Sequence, residues 1–290
     1  MQLDRARVLR IIKAALKEDI GRGDITTQPL IDRLSISKAV IISREDCVVC
    51  GLEIAEMVMA GIDYSVRFKP NCKDGTFVGK GKDVAFIEGA TASILRAERT
   101  MLNFLTFLSG ISTRTRQYQD KVKPYDVKIM DTRKTIPLLR YLEKYAVFTG
   151  GGANHRMGLY DQVLIKDNHI YCRKNNLSPG REFSLKSIVE EARKKSRKGT
   201  VVEIEISTLK EFSDALGGRP DIIMLDNMGI NEIKACVEIR KLSKTKPLLE
   251  VSGGITLDTV EEYAKTGVEM ISIGELTDSV RAIDMSLDLI

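Results

Sequence analysis

The spacing of apolar residues changes character near residue 125. Before it, helical and alternating stretches are mixed. Leu3 to Glu18 reads as an amphipathic helix, with Leu9, Ile12 and Leu16 at helical spacing and Gly21 past its end. "SKAVIISRED", "YSVRF" and "DVAFIEG" read as strands by their β-branched and aromatic content, and "LEIAEMVMAGI" as a helix. "CVVC" also reads as strand. The glycines of "KDG" and "GKGKD" predict hairpin turns and lack the spacing of a P-loop. From Thr91 one long helix runs through "TASILRAERTMLNFLTFLSGISTRTRQYQDKV".

After this helix a regular alternation begins. The apolar cores "VKIM", "QVLIK", "VVEIEI", "DIIML", "LLEV" and "MISIG" are separated by helical stretches such as "LLRYLEKYAVF", "SLKSIVEEARKKS" and "INEIKACVEIRKL". Apolar strands alternating with helices predict a parallel sheet covered by helices. Six closely spaced strands predict closure into a barrel. An open doubly wound sheet would favour GxGxxG after an early strand, and none occurs. The expected division is an N-terminal α+β domain over residues 1–110, an α/β barrel over 111–275 and a C-terminal segment, 276–290.

Charge and composition narrow the function. The formal net charge of +5 arises from 45 basic and 40 acidic residues. That excess is too small to imply nucleic acid, and basic residues are interspersed with acids, as in "EEARKKSRK". Focused in one cleft, it suits an anionic small molecule. "MQLDRARVLRIIKAALKED" lacks a signal-peptide core and no run reaches the length of a membrane span, so a cytoplasmic location is expected. Five cysteines fit reduced thiols there. Cys47 and Cys50 form a lone CxxC without a second pair and are expected as buried thiols. "NLS" at Asn176 is a glycosylation sequon without other signs of secretion.

The chemistry gathers where the apolar cores end. Asp131, Thr132, Arg133 and Lys134 follow "VKIM"; Lys166, Asp167, Asn168 and His169 close the second core. Glu203 and Glu205 lie in "VVEIEI", and Asp226 and Asn227 follow "IIML". Ser252, Gly253 and Gly254 follow "LLEV", and Ser272 and Gly274 lie in "MISIG". One acid at one strand end is commonly a helix cap. Polar chemistry at every strand end predicts an active site on the carboxyl face of a barrel. "SGGI" and "SIGEL" suit a phosphate approached by backbone amides. Arg133, Lys134 and Lys166 suit carboxylates or a pyrophosphate. Glu205 and Asp226 suit a divalent metal, sugar hydroxyls, or neutralisation of the lysines. His155 and Arg156 follow the triple glycine Gly150 to Gly152, and His155 and His169 are the only histidines. Fourteen positions separate them, and no third ligand completes a zinc site.

"ERTMLNFLTFLSGISTRT", "DTRKTIPLLRYLEKYAV", "GGGANHRMGLYDQVLIKDNHI", "DIIMLDN" and "SGGITLDTVEEYAKTGVEMISIGELT" closely resemble the quinolinate phosphoribosyltransferase family, and "EDIGRGDITT" and "GLEIAE" extend the resemblance over nearly the whole chain. The resemblance implies an open-faced α+β sandwich followed by a six-stranded α/β barrel, with the C-terminal segment returning toward the N-terminal domain. It implies a homodimer with shared active sites, or a hexamer built from dimers. The implied reaction joins quinolinate to phosphoribosyl pyrophosphate with Mg2+, giving nicotinate mononucleotide, pyrophosphate and carbon dioxide. Thr132, Arg133, His155, Arg156 and Lys166 would surround the substrate carboxylates, with Arg99 reaching in from the partner chain. Lys134 and Lys166 would face the pyrophosphate, and Glu205 and Asp226 the ribose hydroxyls and magnesium. Ser252, Gly253, Gly254, Ser272, Ile273 and Gly274 would form the 5′-phosphate site. Glu275 and Asp278 depart from the family's usual small residue and histidine. A molybdenum-transport-associated relative, acting on another acidic heterocycle, shares much of this pattern but departs within "VLIKDNH", which is intact here.

Overall fold

A computed structural model of the chain describes residues 2–176 and 183–290. The sequon at Asn176 runs into residues 177 and 178, outside the described residues. In chain order the first elements are α1 (Arg5–Ile20), α2 (Thr27–Leu30), β1 (Ile36–Ser43), β2 (Cys47–Val48), α3 (Leu52–Ile62), β3 (Arg67–Pro70), β4 (Phe77–Val78), β5 (Asp83–Ala90) and α4 (Thr91–Val122). Next come β6 (Lys128–Met130), α5 (Arg140–Thr149), β7 (Val163–Ile165), α6 (Asp167–Asn175), α7 (Leu185–Lys195), β8 (Val202–Ile206), α8 (Leu209–Gly217) and β9 (Ile222–Asp226). The last are α9 (Ile230–Leu242), β10 (Leu248–Ser252), α10 (Val260–Ala264), β11 (Met270–Ser272), α11 (Glu275–Asp278) and β12 (Met285–Leu289). Two compact units result. The first holds the chain up to Arg116, Lys134–Gly152 and Glu275–Ile290; the second holds Gln117–Arg133 and Ala153–Gly274.

In the first unit β12, β1, β5 and β3 form an antiparallel sheet in that order. Asp4 caps α1 by accepting the Arg7 amide, and α1 buries Val8, Ile12 and Leu16. These lie four apart on one face, and Gly61 of α3 approaches Leu16 closely. Leu9, expected in that stripe, lies about 100° round the helix and is 38% exposed. The strand expected over "YSVRF" starts later, at Arg67, because Asp63 accepts the Ser65 amide and hydroxyl and holds the chain in a turn. Neither "KDG" nor "GKGKD" closes a hairpin. β4 pairs with β2 while β3 and β5 pair with each other, so both turns link different sheets. Only Cys47 and Val48 of "CVVC" are strand, and Cys47 and Cys50 are both buried, with burial pushing each thiol up.

In the second unit six parallel strands run in the order β6-β11-β10-β9-β8-β7. Neighbours therefore follow the chain cyclically from β7 to β11 and back to β6. This is the order of an α/β barrel, with its seam between β6 and β7. Ala153 lies against the seam side of β6 through a parallel bridge to Met130. Helices α7, α8 and α9 alternate with β8, β9 and β10. Period-two alternation sets the two faces of β8: Val202, Ile204 and Ile206 share one face, Glu203 and Glu205 the other. Capping starts the helices cleanly. Ser184 accepts the Ser187 amide, and Thr208 accepts the Glu211 amide while Glu211 accepts from Ser207.

Candidate active site

Glu205 lies near the carboxyl end of β8 and takes the Lys166 ammonium at 2.5 Å. Its side chain is 12% exposed and that of Lys166 43%. Lys166 ends the β7 run, and Asp226 ends β9 with its carboxylate accepting from the Asn227 side chain. Glu205 and Asp226 line one concavity of about 500 Å³, together with Asp167, Asn168 and Ser207. These carboxylates are hard oxygen donors at neighbouring strand ends, a donor set that fits magnesium.

A second group of cations is more deeply held. Arg156 is buried, its Nη1 donates to the Gln162 carbonyl at 3.2 Å, and its buried Nε has no hydrogen-bond partner among the described residues. Burial, and then the Arg133 guanidinium beside it, lower the Arg156 pKa. Two guanidiniums that repel each other form a ready receptor for a group carrying more than one negative charge.

Beneath them His155 occupies the barrel interior. Its amide donates to the buried Asp131 carboxylate at 2.8 Å, and its Nδ1 accepts the Arg156 amide at 2.8 Å. Its Nε2 stands 3.1 Å from Glu203 and 3.6 Å from Glu250, both fully buried. The ligand atoms of these three side chains lie within 4.8 Å of one another. The Gln162 amide donates to Glu203, and the Ser272 hydroxyl donates to Glu250 at 2.5 Å. Burial first, and the neighbouring Glu203 carboxylate second, push Glu250 up to about 7. Thus the tips or interiors of β6, β7, β8, β10 and β11 all contribute a polar group around one imidazole. Asp131, Gln162 and Glu250 were not singled out for this role by the sequence. The available signal was an acid inside an apolar strand core, "LLEV", where an unpartnered carboxylate is costly.

The expected phosphate turns divide. Gly253 has φ +100°, and a Cβ there would come within 2.2 Å of the Asn227 side chain; Gly254 has φ +61° and open space around it. Here a side chain would displace Asn227, whose own amide donates to the Ser252 carbonyl. Ser272 instead pairs in the ladder with Met130 and turns its hydroxyl inward to Glu250. Ile273 is buried and donates its amide to the Met130 carbonyl. His169 is also structural in setting: its Nδ1 accepts the Lys166 amide at 2.9 Å at the start of α6, a helix the sequence reading did not assign. Thr132 and Arg133 are partly exposed at the end of β6. Arg99 and Lys134 belong to the first unit, where both are exposed. In that unit the Thr277 hydroxyl donates to the Lys134 carbonyl, and Arg114 holds the departing Glu275 in an ion pair at 2.5 Å.

Residues 24–109 match the family described as quinolinate phosphoribosyl transferase, N-terminal domain, and residues 111–288 its C-terminal domain. A probable carboxylating nicotinate-nucleotide pyrophosphorylase of Methanocaldococcus jannaschii is 42% identical over 97% of this chain and 97% of its own length. One from Bacillus subtilis is 36% identical over 99% of this chain and 95% of its own. Among solved structures, nicotinate-nucleotide pyrophosphorylase from Francisella tularensis superposes with a TM-score of 0.90 at 37% identity, covering 100% of this chain and 98% of that one. The Ehrlichia chaffeensis enzyme gives a TM-score of 0.90 at 39% identity, covering 100% of both chains.

Proposed function

The chain belongs to the quinolinate phosphoribosyl transferase family, and on that premise we propose that it moves the phosphoribosyl group of phosphoribosyl pyrophosphate onto quinolinate with loss of carbon dioxide. The observation that carries the substrate reading is the buried Arg156 beside Arg133. Quinolinate bears two adjacent carboxylates and supplies the anion that this pair calls for.

In the proposed reaction the pyridine nitrogen attacks the anomeric carbon as pyrophosphate leaves. Positive charge grows on the ribose and negative charge on the leaving group. The protein's contribution is positioning and fixed electrostatics. Arg133 and Arg156 grip the carboxylates, with Thr132 beside them. Lys134 and Lys166 neutralise the departing pyrophosphate, and Glu205 and Asp226 hold the ribose hydroxyls. The Ser252–Gly254 turn offers backbone amides to the 5′-phosphate, with Gly274 closing the same subsite. Magnesium, held by Glu205 and Asp226, would neutralise pyrophosphate charge. The new pyridinium then accepts the electron pair released as the adjacent carboxylate departs.

The decisive assay is formation of nicotinate mononucleotide from quinolinate and phosphoribosyl pyrophosphate, with and without excess chelator. Product from nicotinate and none from quinolinate would favour a different acidic heterocycle. Full turnover in chelator, with no retained metal, would remove magnesium from the scheme. The same reading makes the active form a cytoplasmic dimer, or a hexamer of dimers, with Arg99 entering the partner's site. Arg99→Ala and Arg156→Ala, each inactive alone, should regain roughly a quarter of wild-type activity after random reassembly. No recovery in dimers shown by mass to be mixed would end the shared-site assignment.

A further inference from the structure

We propose that Thr277 and Glu143 are positioning residues: both buried, they clamp the main chain of the loop that follows β6, so that Lys134 is presented to the pyrophosphate of the substrate. The proposal rests on the reading that Lys134 neutralises that group.

The loop runs from Lys134 to Leu139, between β6 and α5, and Lys134, Ile136, Pro137 and Leu138 are all exposed along it. Burial of these side chains therefore cannot fix its course. It is anchored instead at three successive residues. The Thr277 hydroxyl, on α11, donates to the Lys134 carbonyl at 2.6 Å. The Arg140 Nε donates to the Thr135 hydroxyl at 2.9 Å. The Ile136 amide donates to the Glu143 carboxylate, on α5, at 2.9 Å. The Leu139 amide then closes the turn on the Ile136 carbonyl at 3.1 Å. All these groups belong to the first unit. Thr277 is 1% exposed and Glu143 is fully buried. A connection that only had to reach α5 could leave its polar groups in water. Burying a carboxylate is costly. Here one oxygen of that carboxylate serves a loop amide just ahead of a proline, which has no amide of its own. Leu138 shows how tightly the path is set. It holds φ +70° while its side chain is 90% exposed. A bulky residue keeps that conformation only where the chain around it is over-determined. The anchors supply that constraint. They also fix the root of the Lys134 side chain, which sets where its ammonium can reach.

Double-mutant kinetics of the full protein separate positioning from folding. Thr277→Val removes the donor and keeps the shape. It should raise the KM for phosphoribosyl pyrophosphate about fivefold, the scale of one lost hydrogen bond, and move that for quinolinate less than about twofold. Thr277→Ser, which keeps the hydroxyl, should stay within about twofold of wild type. Glu143→Leu should raise the KM for phosphoribosyl pyrophosphate about tenfold, and Glu143→Gln, which keeps an acceptor oxygen, less than about threefold. Should Glu143→Leu fail to fold, Glu143→Asp, whose carboxylate is one methylene short, takes its place. In a Lys134→Ala background neither Thr277→Val nor the Glu143 variant should add more than about twofold, because no ammonium is left to place. Full additivity with Lys134→Ala, equal rises for both substrates, or no rise in Thr277→Val overturns the proposal. Lys134→Ala by itself tests the reading beneath: an unchanged KM for phosphoribosyl pyrophosphate removes Lys134 from the pyrophosphate, and the clamp loses its purpose with it. A rise of about tenfold there, followed by additivity, overturns the positioning alone.

Discussion

Glu203 and Glu205 are two residues apart on one face of β8, and each has a cationic or imidazole partner. Glu205 meets Lys166 where both keep access to solvent. Glu203 meets His155 with none, in a cluster that also holds Glu250. The strand gives both the same direction, so depth alone separates them. At the rim the Lys166 side chain is 43% exposed, so its ammonium can leave Glu205 for water or a ligand without the cost of stranding a buried charge of its own. In the interior, leaving one partner alone exposes the full desolvation penalty of the others. The same chemical group therefore serves turnover at one depth and fixed geometry at the other.

The sharpest test of that contrast is also the largest expected effect. Glu205→Gln should lower kcat/KM roughly 10²- to 10³-fold, the loss typical of one preorganised electrostatic group. Its thermal stability should stay near wild type. Retained turnover would mean that the rim pair is only a surface contact. Next in size is Arg133→Lys. Lysine keeps the charge and loses the planar two-bond grip, at a cost of about 2–4 kcal/mol in transition-state stabilisation. A near-normal kcat/KM would show that charge alone suffices beside Arg156.

How far the sequence foretold this contrast depends on the element. Strands β7 to β11 were legible because short β-branched, apolar-rich cores recur between helical stretches, and the long α4 because its apolar residues keep helical spacing. The rim followed from polar residues at strand ends. β12 was not assigned although "MSLDL" alternates strictly, since five residues at the end of the chain give no sign of their distant partner β1. Helix α6 was not, since "DNHIYCRKN" buries no residue and owes its start to His169. The depth of Glu203 was hidden for another reason. Period two sets the face of a strand residue, but only the curling of the sheet decides how far inside it lies. Ser272 was misleading for the same cause: it still belongs to the ladder with Met130, so its hydroxyl points into the core and the turn begins after it.

The buried side of the contrast has its own signature in pH. Burial and Glu203 raise the folded pKa of Glu250 from 4.5 to about 7. The folded chain then holds a proton that the unfolded chain releases, so the contribution of Glu250 to stability is fully present below pH 4.5 and is lost as pH rises through about 7. A shift of that size corresponds to at most ~3 kcal/mol. Groups held low, such as Asp63 and Asp161, change stability only in more acidic solution and do not overlap this window. Glu250→Gln should flatten the unfolding free energy between pH 5 and 8, measured by urea titration at each pH. An unchanged slope would mean that the two carboxylates do not compete for a proton.

The smallest expected effect separates the second histidine from the first. His169 is exposed, and its Nδ1 accepts the Lys166 amide at 2.9 Å, satisfying a donor that opens α6. Removing such a cap costs ~0.5–1 kcal/mol. His169→Ala should therefore lower the melting temperature by only ~2–4 °C in calorimetry. His169→Asn, which also offers a short acceptor, should recover most of it. Turnover should change by less than about fivefold in either variant, the equivalent of ~1 kcal/mol. The bond that His169 makes is to backbone, so Lys166 keeps its ammonium on Glu205 when the ring is gone. A hundredfold loss of kcat with an unchanged melting temperature would place His169 among the reacting groups, and the division between a chemical rim and a structural interior would then have to be redrawn to include the first turn of α6.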